Sequence, residues 1–138
     1  MQMDVLINKM AIIDRCIARI EEEYAGDDRN LHNMTKQDSI ILNIQRVCEA
    51  CIDLAMHAVA KRNFGVPQSS RDAFDLLQTH RALDEEQSKR MKAMVGFRNI
   101  AVHDYQAVNM EIVKKIVAHH LEDCRQFAEQ IQAYLMEA

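Results

Sequence analysis

Apolar residues recur at alternating spacings of four and three along most of this chain, and this period restricts what the chain can fold into. The clearest run consists of Leu6, Met10, Ile13, Ile17, Ile20 and Tyr24. Because an α-helix turns once about every 3.6 residues, residues with this spacing lie on one helix face. Glycine and proline, which interrupt helices, number only three and one in 138 residues. The sequence therefore predicts an all-α fold.

Capping signals divide the periodic stretches into separate helices. Thr35, with Asp38 three residues later, predicts the start of a second helix that ends near Lys61. Asp84 and Gln87 have the same relation and predict the start of a fourth helix.

Two further helices complete the predicted fold, a short one over residues 71–80 and a last long one that starts at Asn109. The apolar stripe of the last helix is predicted to consist of Val113, Val117, His120, Cys124, Phe127, Ile131 and Tyr134. Helices of these lengths, joined by modest loops, predict a single domain over residues 1–138. Its expected architecture is an antiparallel four-helix bundle with an additional short helix.

Composition restricts the partners and the compartment. A net charge of −4 is not typical of a protein that coats nucleic acid non-specifically, although it allows a local basic site. No apolar run has the length of a membrane span and the N-terminus lacks a secretion signal, so we expect a cytoplasmic protein without membrane contact. Cys48 and Cys51 lie three apart in a helical stretch without a second ligand pair, which predicts buried free thiols rather than a metal site. We also expect no cofactor.

The segment "GFRNIAVHDY" places a charge where the helical period calls for an apolar residue. Arg98 continues the spacing of Met91 and Val95, and Val102 and Tyr105 extend it. A guanidinium keeps its charge, so at a core-type position Arg98 must meet a carboxylate, a subunit boundary or an anionic ligand.

Gly96, Asn99 and His103 form a second stripe beside the first, in which the glycine would let another backbone approach closely. Four basic residues precede or belong to the motif without an acidic one among them: Lys89, Arg90, Lys92 and Arg98. We expect the first three to be candidate RNA contacts. Arginine for phosphate oxygens, histidine for proton transfer and an amide for orientation are together suited to phosphodiester chemistry.

One straight helix would direct Arg98 and His103 differently, because five residues at about 100° each separate their side chains by roughly 140°. Either the helix loosens before His103, or the site is completed by a second copy of the chain. We favour the second alternative, which predicts a homodimer and gives Gly96 and Arg98 a reason to lie at an interface.

The run from Arg98 to Tyr105 resembles the R-x4-H-x-Y motif of the HepT toxins, members of the HEPN group of helical ribonucleases. The segments "DSIILNIQRVCEACIDLA" and "GVPQSSRDAFDLL" extend the resemblance over most of the chain. It implies a homodimer with converging motifs and metal-independent RNA cleavage carried by Arg98 and His103. It also implies a type II or type VII toxin–antitoxin pair, in which an MntA-like minimal nucleotidyltransferase neutralises the toxin by transferring AMP to Tyr105, within a larger hetero-oligomer.

In the expected mechanism, His103 acts as general base on the ribose 2′-hydroxyl or as general acid toward the 5′-oxygen, and Arg98 stabilises the phosphorane. Asn99 would orient the phosphate or His103. The alternative is a non-catalytic helical module that binds a nucleotidyltransferase and presents its substrate, although the intact motif favours the enzyme. His120, on the stripe of the last helix, is expected to be a core or interface histidine rather than a metal ligand.

Overall fold

A computed structural model describes residues 2–137 of the chain, and this part is helical with no strand. The helices are α1 (Gln2–Tyr24), α2 (Met34–Lys61), α3 (Ser70–Thr79), α4 (Glu85–His103), α5 (Met110–Lys115) and α6 (Leu121–Met136). A π-helical turn, Ile116–His120, joins α5 to α6 without a break, so the two form one long helix with a defect. The predicted all-α bundle with an additional short helix is confirmed. None of the helices described is long and apolar enough to cross a lipid bilayer.

Helix α2 lies at the centre of the bundle and contacts α1, α3, α4 and α6. Its small residues Ala50, Ala55 and Ala58 are buried, which lets the neighbouring helices pack closely around it. The aromatic rings of Phe74 in α3 and Phe127 in α6 meet edge to face, with their centroids 5.3 Å apart. The short helix α3 is thereby fixed to the core, and the ion pair between Asp75 and Lys92 joins it to α4.

Side-chain caps define the starts of four helices, α2, α3, α4 and α5. The predicted capping box is confirmed, with Asp84 accepting from the Gln87 backbone and Gln87 accepting from the Asp84 backbone. Asn109 caps α5 as predicted. The predicted cap at Thr35 is wrong, because the Asn33 side chain accepts from the Lys36 backbone N–H and α2 starts at Met34. An asparagine oxygen two residues earlier satisfies the same free N–H groups.

All four cysteines, Cys16, Cys48, Cys51 and Cys124, are buried free thiols, as predicted. Burial raises the pKa of the Cys16 thiol, and it is also the largest cause of the raised pKa of Cys48. These thiols therefore behave as small apolar core residues.

Candidate active site

The head group of Arg98 is held by two neutral side chains where α3 crosses α4. Its Nε donates to Oδ1 of Asn99 at 2.9 Å, and its Nη2 donates to Oγ of Ser70 at 3.3 Å. Ser70 is the first residue of α3 and follows the N-cap residue Ser69, whose side chain accepts from the Asp72 backbone. The cap fixes the first turn of α3, and this turn presents the Ser70 hydroxyl to Arg98.

Arg98 carries a charge that the described part of the chain does not neutralise. It is half-buried, and between residues 2 and 137 no carboxylate forms an ion pair with it. Burial raises the pKa of the Cys48 thiol well above its ordinary value, and the positive charge of Arg98 opposes that rise, so the guanidinium lies near the edge of the core. The sequence analysis named three possible partners for Arg98, and the structure excludes one of them, a carboxylate within residues 2–137. An anionic ligand or a second protein surface is left.

The predicted apolar stripe through Arg98 is correct only in its first half. Met91 and Val95 are buried, but Val102 and Tyr105 are 47% and 42% exposed, and Ala101 provides the last buried residue of α4. In the final turn of α4 Ala101 faces the core, whereas Ile100, Val102 and His103 are exposed. The motif therefore lies on a projecting helix end.

His103 is the last residue of α4 and is exposed to solvent. The helix continues to this residue and is ended by Asp104, whose backbone N–H donates to the Ile100 carbonyl. Of the two alternatives that the sequence left open, the one in which the helix loosens before His103 is therefore wrong. The Cβ atoms of Arg98 and His103 do diverge, as helical geometry requires.

The Arg98 side chain nevertheless bends toward the stripe that carries His103. Asn99, which accepts from Arg98, is four residues before His103 and lies on the same face of α4. This hydrogen bond turns the head group of Arg98 toward the face of α4 on which Asn99 lies.

Tyr105 lies outside the helix, in a 3-10 turn over Tyr105–Ala107. Its hydroxyl donates to the Asp38 carboxylate in the first turns of α2. Partial burial and the hydrogen bond to Asp38 raise the pKa of Tyr105 to about 12, so the phenol is protonated at neutral pH. The seven-residue spacing that placed Tyr105 on the face of Arg98 does not hold, because α4 has already ended at His103.

The predicted basic patch is smaller than its sequence suggests. Arg90 lies 3.2 Å from a Glu86 oxygen and 3.6 Å from an Asp123 oxygen. Lys92 lies 2.7 Å from an Asp75 oxygen. These carboxylates come from an adjacent turn and from neighbouring helices, which the count of acidic residues within the segment did not include. Lys89 is exposed and has no ion pair within residues 2–137. Of the three candidate RNA contacts, it is therefore the one whose charge no carboxylate of the described residues neutralises.

Gly96 does make room for another group, but that group is a side chain and not a backbone. A Cβ atom added to Gly96 would lie 2.8 Å from Nη2 of Arg71, the second residue of α3. Ser70 and Arg71 were both missed as site residues. The Ser-Ser-Arg-Asp sequence signals a helix start, but nothing in its spacing tells which helix that start will touch.

His120 is not on the core face that the sequence assigned to it. The π-helical turn inserts one residue into the period, so Ile116 and Leu121 are buried while His120 is 43% exposed. Its Nδ1 lies 2.9 Å from an Asp123 oxygen. The predicted core role is wrong; an interface role stays a prediction.

Comparisons with known proteins extend over nearly the whole chain. The family model described as Ribonuclease HepT-like matches residues 13–131. The mRNA nuclease HepT of Shewanella oneidensis is 51% identical over 130 residues, which are 94% of this chain and 98% of that protein. The tRNA nuclease HepT of Aphanizomenon flos-aquae is 27% identical over 93 residues, which are 67% of this chain and 63% of that protein. The solved structure of a tri-AMPylated Shewanella oneidensis HEPN toxin in complex with MNT antitoxin has a TM-score of 0.88 and 52% identity, covering 94% of this chain and 98% of that one.

Proposed function

Because the chain belongs to the Ribonuclease HepT-like family, we propose that it is the toxin of a toxin–antitoxin pair and cleaves RNA without a metal ion. The observation that carries this proposal is the half-buried Arg98, oriented by Asn99 and Ser70 and without an ion-pair partner in residues 2–137. A fixed guanidinium with an unused charge is suited to a phosphate, which it can bind through two parallel N–H groups.

Cleavage proceeds by attack of the ribose 2′-oxygen on the adjacent phosphorus. The bond from phosphorus to the 5′-oxygen breaks, which leaves a 2′,3′-cyclic phosphate and a 5′-hydroxyl. His103 accepts the proton of the 2′-hydroxyl as general base, or donates a proton to the departing 5′-oxygen as general acid. Arg98 stabilises the additional negative charge of the phosphorane, and Asn99 orients Arg98 for that contact.

The active unit in this proposal is a homodimer in which the two motifs face one another. The exposed Val102 beside His103 supports it, because an apolar side chain at a projecting helix end gains from a second surface. A second copy would also supply a histidine to each arginine from a different direction, as the diverging Cβ atoms of Arg98 and His103 favour.

Neutralisation is proposed to occur at Tyr105, by an MntA-like nucleotidyltransferase that transfers AMP from ATP to the phenol oxygen. The structure of the AMPylated Shewanella toxin with its MNT antitoxin supports this assignment. Tyr105 is 42% exposed and follows His103 by two residues, so an attached AMP would add bulk and negative charge beside the site. RNA would be excluded by occupation and by repulsion. Intact-mass measurement after incubation with antitoxin and ATP should show the mass of AMP on the wild type and not on Tyr105→Phe; labelled Tyr105→Phe would refute the assignment.

The central test incubates purified protein with RNA in EDTA. We expect cleavage with 2′,3′-cyclic phosphate ends, lost in Arg98→Ala and in His103→Ala, while His32→Ala, which replaces another exposed histidine, stays active. An equally active His103→Ala protein would refute the mechanism. Absence of cleavage in the wild type, together with stable binding of the antitoxin, would favour the non-catalytic module instead.

Mixing the two inactive variants tests the shared site. If each site takes Arg98 from one copy and His103 from the other, a mixed dimer of Arg98→Ala and His103→Ala contains one intact site, and cleavage returns on mixing. If both residues act within one chain, every site in the mixture lacks one of them. A mixture that stays inactive, although the subunits exchange, would refute the shared site and leave the cleavage proposal in place.

A further inference from the structure

Arg71 lies across the backbone of α4 at the position that only a glycine leaves open. Its Nε is 3.5 Å from the Lys92 carbonyl oxygen, and its Nη2 would be 2.8 Å from a Cβ atom on Gly96. Glycine within a helix is unfavourable relative to alanine. Gly96 lies directly under the Arg71 guanidinium, and this contact explains why a glycine occupies the position.

Arg71 also has a charge that the described residues leave without a counter-ion. The neighbouring carboxylates are occupied elsewhere, since Asp72 accepts from the Gln68 backbone and Asp75 pairs with Lys92. Throughout residues 2–137 no ion pair includes Arg71, and its side chain is exposed. An arginine in this state is available to an anion from solution.

The site described above and Arg71 share one side of α4. Ser70 and Arg71 are consecutive in the first turn of α3, and Ser70 accepts from Arg98. Lys92 and Gly96, against which Arg71 lies, are on the helical stripe that continues to Asn99 and His103. Two guanidinium groups without counter-ions therefore occupy the same helix crossing.

We propose that Arg71 binds a phosphate that flanks the scissile phosphate of the RNA strand, and that Gly96 preserves the space in which Arg71 lies. This inference rests on the proposed function. Gly96 and His103 are seven residues apart, about 10 Å along the helix axis. Arg71 is thus too far toward the start of α4 to act on the bond that His103 breaks, and its contribution is to substrate binding.

The test compares Arg71→Ala with Arg15→Ala, which removes the same charge from an exposed position on α1. For a single-stranded RNA oligonucleotide we expect Arg71→Ala to raise KM about tenfold and to leave kcat within about twofold, the pattern of a lost uniform binding contact. The same oligonucleotide with 2′-O-methyl groups cannot be cleaved and measures binding alone. For this ligand, the slope of log Kd against log salt concentration should be smaller by about 0.7 in Arg71→Ala than in the wild type, as for the loss of one phosphate contact. Arg15→Ala should change neither.

Gly96→Ala provides the independent variant. The guanidinium of Arg71 can move away from the methyl group added at position 96, so the melting temperature of Gly96→Ala should not fall. Because the guanidinium is then displaced from its position on α4, KM should rise as it does in Arg71→Ala. In the double variant, cleavage should be no slower than in Arg71→Ala alone, because the space is needed only for Arg71. An unchanged KM and salt slope in Arg71→Ala, with an active wild type, would overturn the inference. A wild type that cleaves no RNA overturns the proposed function instead, and the salt slope with the 2′-O-methyl oligonucleotide still decides whether Arg71 binds phosphate.

Discussion

Replacing Arg98 with methionine should remove activity without a comparable loss of stability. The variant loses the hydrogen bonds to Asn99 and Ser70, each worth about 0.5–1.5 kcal/mol net. Against this, it removes a half-buried charge that has no counter-ion in residues 2–137, and it places an apolar chain at the core edge beside Cys48. Replacement of a whole buried ion pair by well-packed apolar residues often stabilises a fold by about 1–4 kcal/mol, and removal of one half-buried charge should return part of that amount. The loss of about 1–3 kcal/mol from the two hydrogen bonds and this gain largely offset each other, so we expect the unfolding free energy to change by less than about 2 kcal/mol and the melting temperature by less than about 7 °C.

Cleavage should respond very differently, because a preorganised donor to the transition state is lost. Removal of one such group typically lowers kcat by about 10²–10³-fold. Thermal unfolding followed by far-UV circular dichroism and RNA cleavage by the same preparations would measure both effects.

Arg62→Met is the matched structural control. Arg62 donates to the Tyr134 carbonyl at 2.6 Å, and its guanidinium lies 4.9 Å from the centroid of the Tyr134 ring. It ties the end of α2 to the end of α6, away from the motif, so Arg62→Met should lower the melting temperature and leave the cleavage rate of the folded protein unchanged. If Arg98→Met were the more destabilising of the two, Arg98 would be a structural residue and the reasoning above would be wrong.

Two further substitutions test the environment of the motif. Asn99→Asp would place a carboxylate where Arg98 now donates to an amide, so we expect a higher melting temperature and slower cleavage; faster cleavage would contradict the role of the unused charge. Asp38→Ala should lower the pKa of Tyr105 from about 12, though not to the ordinary value, because burial is its largest cause and is retained. The difference between absorbance titrations of each protein with and without Tyr105→Phe measures this pKa. Since the native state favours the protonated phenol, the contribution of Tyr105 to stability is present below the unfolded pKa of about 10 and is lost as pH rises toward 12. An unchanged pKa of Tyr105 in Asp38→Ala would contradict the hydrogen bond between the two side chains.

The bundle could be predicted because its information is local. The period of α1, the capping box at Asp84 and the cap at Asn109 each depend on residues a few positions apart. The π-helical turn could not, because such a turn is rare and the local spacing of the residues does not signal it. Ile116 and Leu121 are both buried as a result, and the apparent stripe through His120 is the one that a regular helix would have had.

For the site, too, only the features that depend on nearby residues could be predicted. Arg98 can be identified because it is a charged residue at a position where the helical period calls for an apolar one. The stripe that contains His103 follows from helical spacing alone. Ser70 and Arg71 are separated from the motif by the rest of α3 and a loop, and tertiary contacts such as the packing of Phe74 on Phe127 bring them to the crossing. Tyr105 was misplaced for the opposite reason, since a local helix end at Asp104 overrides the longer period.

The arrangement separates the residues that stabilise the fold from those that act on a ligand, although both belong to α4. Up to Ala101 the helix contributes Met91, Met94 and Val95 to the core, and after it Val102 and His103 project into solvent. A continuous α-helix holds the projecting turn, so its orientation derives from buried residues that need not change when the motif does. Substitutions in the final turn are therefore expected to change cleavage without unfolding the bundle. Substitutions of Arg98 and Arg71 at the crossing with α3 are expected to do the same, because neither arginine has an ion-pair partner within residues 2–137.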